Sequence, residues 1–210
     1  MVNIKPAIIS DNFTEIKDKI SQVEELVPWV HLDVMDGLFV PPVVWPKPDD
    51  LNEVGGKIKI ETHLMVTRPE EILVDWMPVT DRLIVHFEAT DYVSEIIETL
   101  KDSHTELALA FLLDTPVEDI LLWADKVAVI QLMSISKVGY HGQPFSEAVL
   151  EKIKILHEKF PNVIIQIDGG LNLKTGQAVL DAGASDLVVG SALWQAKELN
   201  RTIKKFQNLK

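Results

Sequence analysis

The sequence contains no cysteine, so it can form neither a disulfide nor a thiolate metal site, and any metal bound here has nitrogen and oxygen ligands. It also lacks a run of eighteen or more apolar residues, and no basic amino-terminal stretch precedes an apolar one. A membrane span and a secretory leader are therefore not expected, and the cytoplasm is the expected location. Basic residues are scarce, with 20 Lys and Arg against 32 Asp and Glu and a net charge of −12. That balance argues against nucleic acid or an anionic membrane as partner. An anionic ligand must be held mainly by backbone N–H groups and helix ends.

At 210 residues and 47% hydrophobic content, the chain has material for one domain with an ample core. No linker or low-complexity tract divides it. Strand-like runs fall at Ile4–Ile9, Trp29–Val34, Lys57–Met65, Arg82–Phe87, Glu106–Leu112, Val127–Leu132, Val163–Ile167 and Leu187–Val189. Helical patterns lie between them. Ala148–Phe160 carries a stripe of Val149, Leu150, Ile153, Leu156, His157 and Phe160, and Asn172–Ala182 starts on a capping Asn172 and stops at Gly183. Eight such units predict a single α/β domain over residues 1–210, a (β/α)8 TIM barrel with its site at the carboxyl ends of the strands. A doubly wound open sheet alternates in the same way. The spread of polar residues over many strand ends favours the barrel.

Those polar residues are specific. Strand side chains alternate faces, so His31, Asp33 and Met35 project together, and Glu61, His63 and Met65 do the same on the next strand. A buried face carrying imidazole and carboxylate must pair, neutralise or bind metal. Two strands delivering His and Met to one end therefore predict a shared site. Further along, Asp168 is followed by Gly169 and Gly170, and a later strand ends in Gly190 and Ser191. Glycine turns of this kind present backbone N–H groups, and their position on the last two strands predicts a phosphate cradle. The loop from Met133 to Phe145, with Gly139 and Gly142, is long enough to close over a ligand. Asp36 is expected to brace its loop. His86 and Glu88 are expected in structural places, and His104 and His157 on the surface.

The chain resembles the ribulose-phosphate 3-epimerase family over nearly its whole length. The matching motifs are HLDVMDGLFVP (His31 to Pro41), THLMVTRPE (Thr62 to Glu70), IDGGLN (Ile167 to Asn172) and VVGSALW (Val188 to Trp194). The resemblance implies that His31, Asp33, His63 and Asp168 bind one divalent metal ion. It gives Asp33 and Asp168 the two acid/base roles, places Met35, Met65 and Met133 over the reaction centre, and assigns phosphate to Gly169, Gly170, Gly190 and Ser191. Inverting a carbon beside a ketone needs two opposed proton-transfer groups and stabilisation of an enediolate, which this residue set can supply. Two imidazoles and two carboxylates suit zinc, iron, manganese or cobalt.

Three departures stand out. Ala7 occupies a position where the family has serine, and Pro42 replaces an asparagine. In the strand-six loop, Lys137–Gln143 lacks the family's leading proline and carries His141 in place of bare backbone. The expected reaction is therefore epimerisation at C3 of a ketose phosphate, foremost D-ribulose 5-phosphate and D-xylulose 5-phosphate, by a homo-oligomeric enzyme. A paralogue acting on a hexulose 6-phosphate and a non-catalytic sugar-phosphate-binding barrel are the alternatives.

Overall fold

Apolar residues recur at every second position in runs such as Val30, Leu32 and Val34, and the computed structural model, which describes residues 1–44, 47–140 and 142–210, shows where that alternation leads. The barrel strands are β1 (Asn3–Ile8), β2 (Trp29–Asp36), β3 (Lys59–Met65), β4 (Arg82–His86), β5 (Glu106–Phe111), β6 (Val129–Met133), β7 (Ile164–Asp168) and β8 (Asp186–Val189). Each pairs in parallel with its neighbours, and the β1–β2 and β1–β8 pairings close the ring. The barrel prediction holds and the open sheet does not. A two-residue strand, Val43–Val44, runs antiparallel against the end of β2.

Around the ring lie α1 (Phe13–Val23), α2 (Leu73–Trp76), α3 (Val93–Leu100), α4 (Val117–Leu121), α5 (Ala148–Lys159), α6 (Leu173–Asp181), α7 (Ser191–Trp194) and α8 (Leu199–Gln207). Among the described residues no helix is long and apolar enough to cross a membrane. Asn172 caps α6 as expected, its side chain accepting from the N–H groups of Lys174 and Thr175. Gly183 ends that helix with φ +112, a left-handed value that favours glycine, and a Cβ there would meet the His157 ring of α5 at 2.5 Å. His157 itself is exposed, while Val149, Ile153 and Leu156 form the buried stripe of α5.

The main hydrophobic core lies outside the ring, between strands and helices. Ile8, Leu32, Val34, Leu64, Val85, Leu109 and Ile167 face Ile16, Trp76, Ile96, Ile153 and Phe206. The side chains facing into the ring differ in kind. A small apolar wall of Ile84, Ala108, Ala110 and Val129 lines one side. Elsewhere, buried Lys5, His31, Asp33, Glu61, His63, Arg82, Gln131, Gln166 and Asp186 fill the interior with polar groups. TIM barrels more often fill this space with branched aliphatic side chains. A polar interior is stable only if its groups satisfy one another.

Candidate active site

Register brings the predicted residues together. In the β2–β3 pairing Asp33 lies opposite His63, His31 opposite Glu61, and Met35 opposite Met65. Met133 lies opposite Asp168 between β6 and β7. His31 Nε2 is 3.2 Å from Asp33 Oδ1 and 3.2 Å from His63 Nδ1, and His63 Nδ1 is 3.0 Å from Asp33 Oδ1. Asp168 Oδ2 completes the group at 3.9 Å from His31 Nε2 and 3.7 Å from His63 Nδ1. One atom from each of the four residues thus falls within 4.8 Å of the others. Four ligands on a tetrahedral ion with bonds of about 2.1 Å stand about 3.4 Å apart, so this donor set fits a divalent metal in both spacing and chemistry.

The floor beneath these four residues is a closed hydrogen-bond network that sequence reading missed. Glu61 Oε1 accepts from His31 Nδ1 at 2.8 Å and from Gln166 Nε2 at 2.8 Å. Its Oε2 accepts from Lys5 Nζ at 2.7 Å and Arg82 Nη1 at 2.9 Å. Lys5 also pairs with Asp186 and donates to Gln166, and Gln166 donates to Gln131 Oε1 at 2.7 Å. The one sequence signal for this network is that Glu61, Gln131 and Gln166 stand two positions before His63, Met133 and Asp168, on the same strand faces. His86, expected in a structural place, abuts the site with its Nε2 2.9 Å from His63 Nε2.

The electrostatics separate the two aspartates. Burial works to raise Asp33, but the charge of His31 and hydrogen bonds from His31 and His63 hold it well below the usual carboxylate range. Burial lifts Asp168 to about 7, with His31 opposing and Asp33 reinforcing that rise. Burial pushes His31 down, yet the charge of Asp33 and bonds to Asp33 and Glu61 prevail and raise it to about 10. Burial also opposes the ionisation of Glu61, and Lys5, His31 and Arg82 overcome it, so Glu61 too sits well below its ordinary value. Two carboxylates pushed in opposite directions in one cleft are suited to opposite acid/base roles.

Above the four residues opens a cleft of about 510 Å³, including its solvent-open mouth. Asp33, Met65, Met133 and Asp168 form its lower lining, and Gly139, Gly142, Gly169, Gly170, Gly190 and Ser191 its rim. Ala7, Ile9, Ile135 and Tyr140 line it as well. Met35 does not; beside Met65 it is fully buried against Val40 and Val44. The turn after β7 is fixed by Ser134, whose hydroxyl donates to Asp168 O at 3.0 Å and Gly169 O at 2.5 Å. Gly170 has φ +63, and a Cβ there would meet the Phe145 backbone N at 2.7 Å, so glycine is required. Trp194 Nε1 donates to Ala7 O at 2.5 Å, tying α7 to the end of β1. Asp36 braces two loops, accepting from Leu38 N, Phe39 N and Thr67 N. His141 lies outside the described residues.

Known proteins resemble this chain at two levels. Solved structures show the fold alone: the tryptophan synthase alpha-subunit of Pyrococcus furiosus superposes with TM-score 0.73 at 12% identity, covering 98% of this chain and 97% of that one. A 3-hexulose-6-phosphate synthase superposes with TM-score 0.71 at 15% identity, covering 98% of each. Sequence relatives are nearer. The ribulose-phosphate 3-epimerase of Schizosaccharomyces pombe is 31% identical over 98% of this chain and 92% of its own length. That of Bacillus subtilis is 30% identical over 100% of both chains. The family model described as "Ribulose-phosphate 3 epimerase family" matches residues 3–194, a span that includes every cleft residue named above. Histidines and aspartates on three strands, a glycine rim after β6, β7 and β8, and this match across the barrel lead to one assignment: the chain belongs to the ribulose-phosphate 3-epimerase family and is an isomerase.

Proposed function

We propose that this isomerase interconverts D-ribulose 5-phosphate and D-xylulose 5-phosphate by moving a proton at C3 between Asp33 and Asp168. The observation that supports this most is the convergence of the two oppositely shifted aspartates with two imidazoles at the base of one cleft. The phosphate is held at the rim by backbone N–H groups of Gly169, Gly170, Gly190 and Ser191, with Gly139 and Gly142 closing from the β6 loop. Such a cradle needs no lysine, in keeping with the scarcity of basic residues. This seats the sugar with C3 between the carboxylates.

Asp33, held ionised, accepts the C3 proton on one face, and Asp168, which retains a proton near neutrality, returns one to the other. In the reverse reaction the roles exchange. His31, Asp33, His63 and Asp168 would hold one divalent ion, drawn from zinc, iron, manganese and cobalt, whose Lewis acidity stabilises the enediolate's charge by several kcal/mol or so. Met65 and Met133 present polarizable, aprotic surface to the planar intermediate and exclude competing proton donors.

The longer hexulose 6-phosphate remains a competing substrate because Ala7, where the family has serine, lines the cleft. Measuring kcat/KM for the metal-loaded enzyme on pentulose and hexulose phosphates decides the matter. Preference for the pentulose by tenfold or more supports the proposal. Preference for the hexulose overturns the substrate, and no turnover of either overturns the reaction in favour of a binding barrel.

A further inference from the structure

His86 and Glu88 continue the site outward from His63. His86 is fully buried, and its ring stacks on His63 with centroids 4.9 Å apart at 27°. The two rings meet nitrogen to nitrogen, Nε2 to Nε2, at 2.9 Å. On its other side, His86 Nδ1 is 3.4 Å from Glu88 Oε2. The second oxygen of Glu88 is already committed: Oε1 accepts from Leu112 N at 2.8 Å and from the Thr115 hydroxyl.

With an ion between Asp33 and His63 Nδ1 in place of the hydrogen bond that joins them in its absence, counting protons along this line fixes its direction. Two imidazole nitrogens at hydrogen-bond distance share one proton, so one ring donates and the other accepts. Glu88 Oε2 can only accept while ionised, which puts a proton on His86 Nδ1 and leaves Nε2 of a neutral His86 as acceptor. His63 must then donate from Nε2, and its lone pair lies on Nδ1. That nitrogen is the one that faces Asp33, His31 and Asp168. Gln131 Nε2 lies 3.3 Å from His63 Nε2 and 3.5 Å from Nδ1, so it selects neither nitrogen.

The geometry points to His86 and Glu88 as positioning residues that set the tautomer of His63 for metal binding through Nδ1. His31 is set by the mirror-image device. Glu61 accepts from its Nδ1 at 2.8 Å and leaves Nε2 for the ion, so the two histidines ligate through opposite nitrogens. Outer partners of this kind typically change metal affinity about 10–100-fold when altered.

The inference rests on the four-residue metal site proposed above and has its own test. Glu88→Gln preserves shape but reverses polarity. Its carbonyl must stay on Leu112 N, so its NH2 faces His86 Nδ1 and donates. The proton line then inverts and places a proton on His63 Nδ1, against the ion. Zinc affinity is measured by chelator competition for wild type and Glu88→Gln, with thermal melts of both metal-free proteins. Histidine 15N spectra report the tautomers in the zinc-loaded wild type. The expected results are a 10–100-fold weaker zinc affinity in a folded Glu88→Gln, with His63 protonated at Nε2 and His86 at Nδ1 in the wild type. Equal affinity in the two proteins, or His86 protonated at Nε2 in zinc-loaded wild type, overturns the inference alone. A wild type that binds no zinc, iron, manganese or cobalt overturns the metal site and the inference together.

Discussion

The floor of the cleft and its rim are built by different physics. On the floor, side chains do the positioning: Glu61 alone accepts four hydrogen bonds, from His31, Gln166, Lys5 and Arg82, all out of reach of water. At the rim, backbone does it: Gly139, Gly142, Gly169 and Gly170 all have φ between +63 and +113, and few charged side chains approach. A network like the floor tolerates little change, because removing one partner strands a buried charge. A glycine rim can change a residue at a time, provided the backbone keeps its course. The departures at Ala7, Pro42 and the described part of the Lys137–Gln143 loop line or flank the cleft, and none replaces one of the four ligands. On the function proposed above, reaction chemistry is seated in the floor and substrate choice in the rim.

Breaking the floor has the largest expected effect. His63→Ala removes one ligand and the donor side of the His86 contact, so the protein should lose its divalent ion and about 10³-fold or more in turnover. Elemental analysis after loading and a coupled epimerase assay check this. Retained metal with near-normal turnover would remove the floor from the chemistry.

A rim change of comparable size should act on binding instead. Gly170→Ala forces a side chain into φ +63 and against the Phe145 backbone, at a cost of about 1–3 kcal/mol. The expected result is a KM raised about tenfold or more with metal content intact. A lowered kcat with unchanged KM would contradict the division between floor and rim.

The charge state of His31 sharpens the contrast further. Its folded value near 10 exceeds the unfolded value of about 6.5, so the stability it contributes to the metal-free protein is complete below about 6.5 and lost as pH rises towards 10. Metal must displace the same proton. Affinity for the ion should therefore climb by about tenfold per pH unit above 7, and more steeply below 7 where Asp168 also gives up its proton. Titration calorimetry at several pH values measures the slope, and a flat or falling affinity would refute the assigned protonation. The smallest effect is expected from Ala7→Ser, which restores a hydroxyl to the cleft wall and should shift pentulose against hexulose preference by less than about tenfold, read from kcat/KM.

Much of the floor was legible in the sequence because strand alternation is short-ranged and strict. His31, Asp33, His63 and Asp168 could be placed on one side of their strands from position alone, and the strand runs fall within two residues of those observed. The partners of Glu61 could not be, because Lys5 is 56 residues away and Gln166 105, and only closure of the ring brings them together. Sequence favours a structural place for His86 for the same reason: nothing local distinguishes a strand-end histidine that packs from one that meets another imidazole. Met35 shows the converse, since its strand face is right but the Val43–Val44 strand covers it. The glycine rim was legible as turns, though not the contact of Gly170 with Phe145, which depends on how the β6 loop folds back.

Isotope exchange at C3 tests the two-aspartate account most directly. In deuterated water, metal-loaded wild type should place deuterium at C3 of each epimer it forms. An Asp168→Asn protein shown by elemental analysis to keep its metal should lose epimerisation by about 10²–10⁴-fold and exchange the C3 proton of at most one epimer. Exchange at C3 of both epimers by that protein would contradict the assignment of one aspartate to each face.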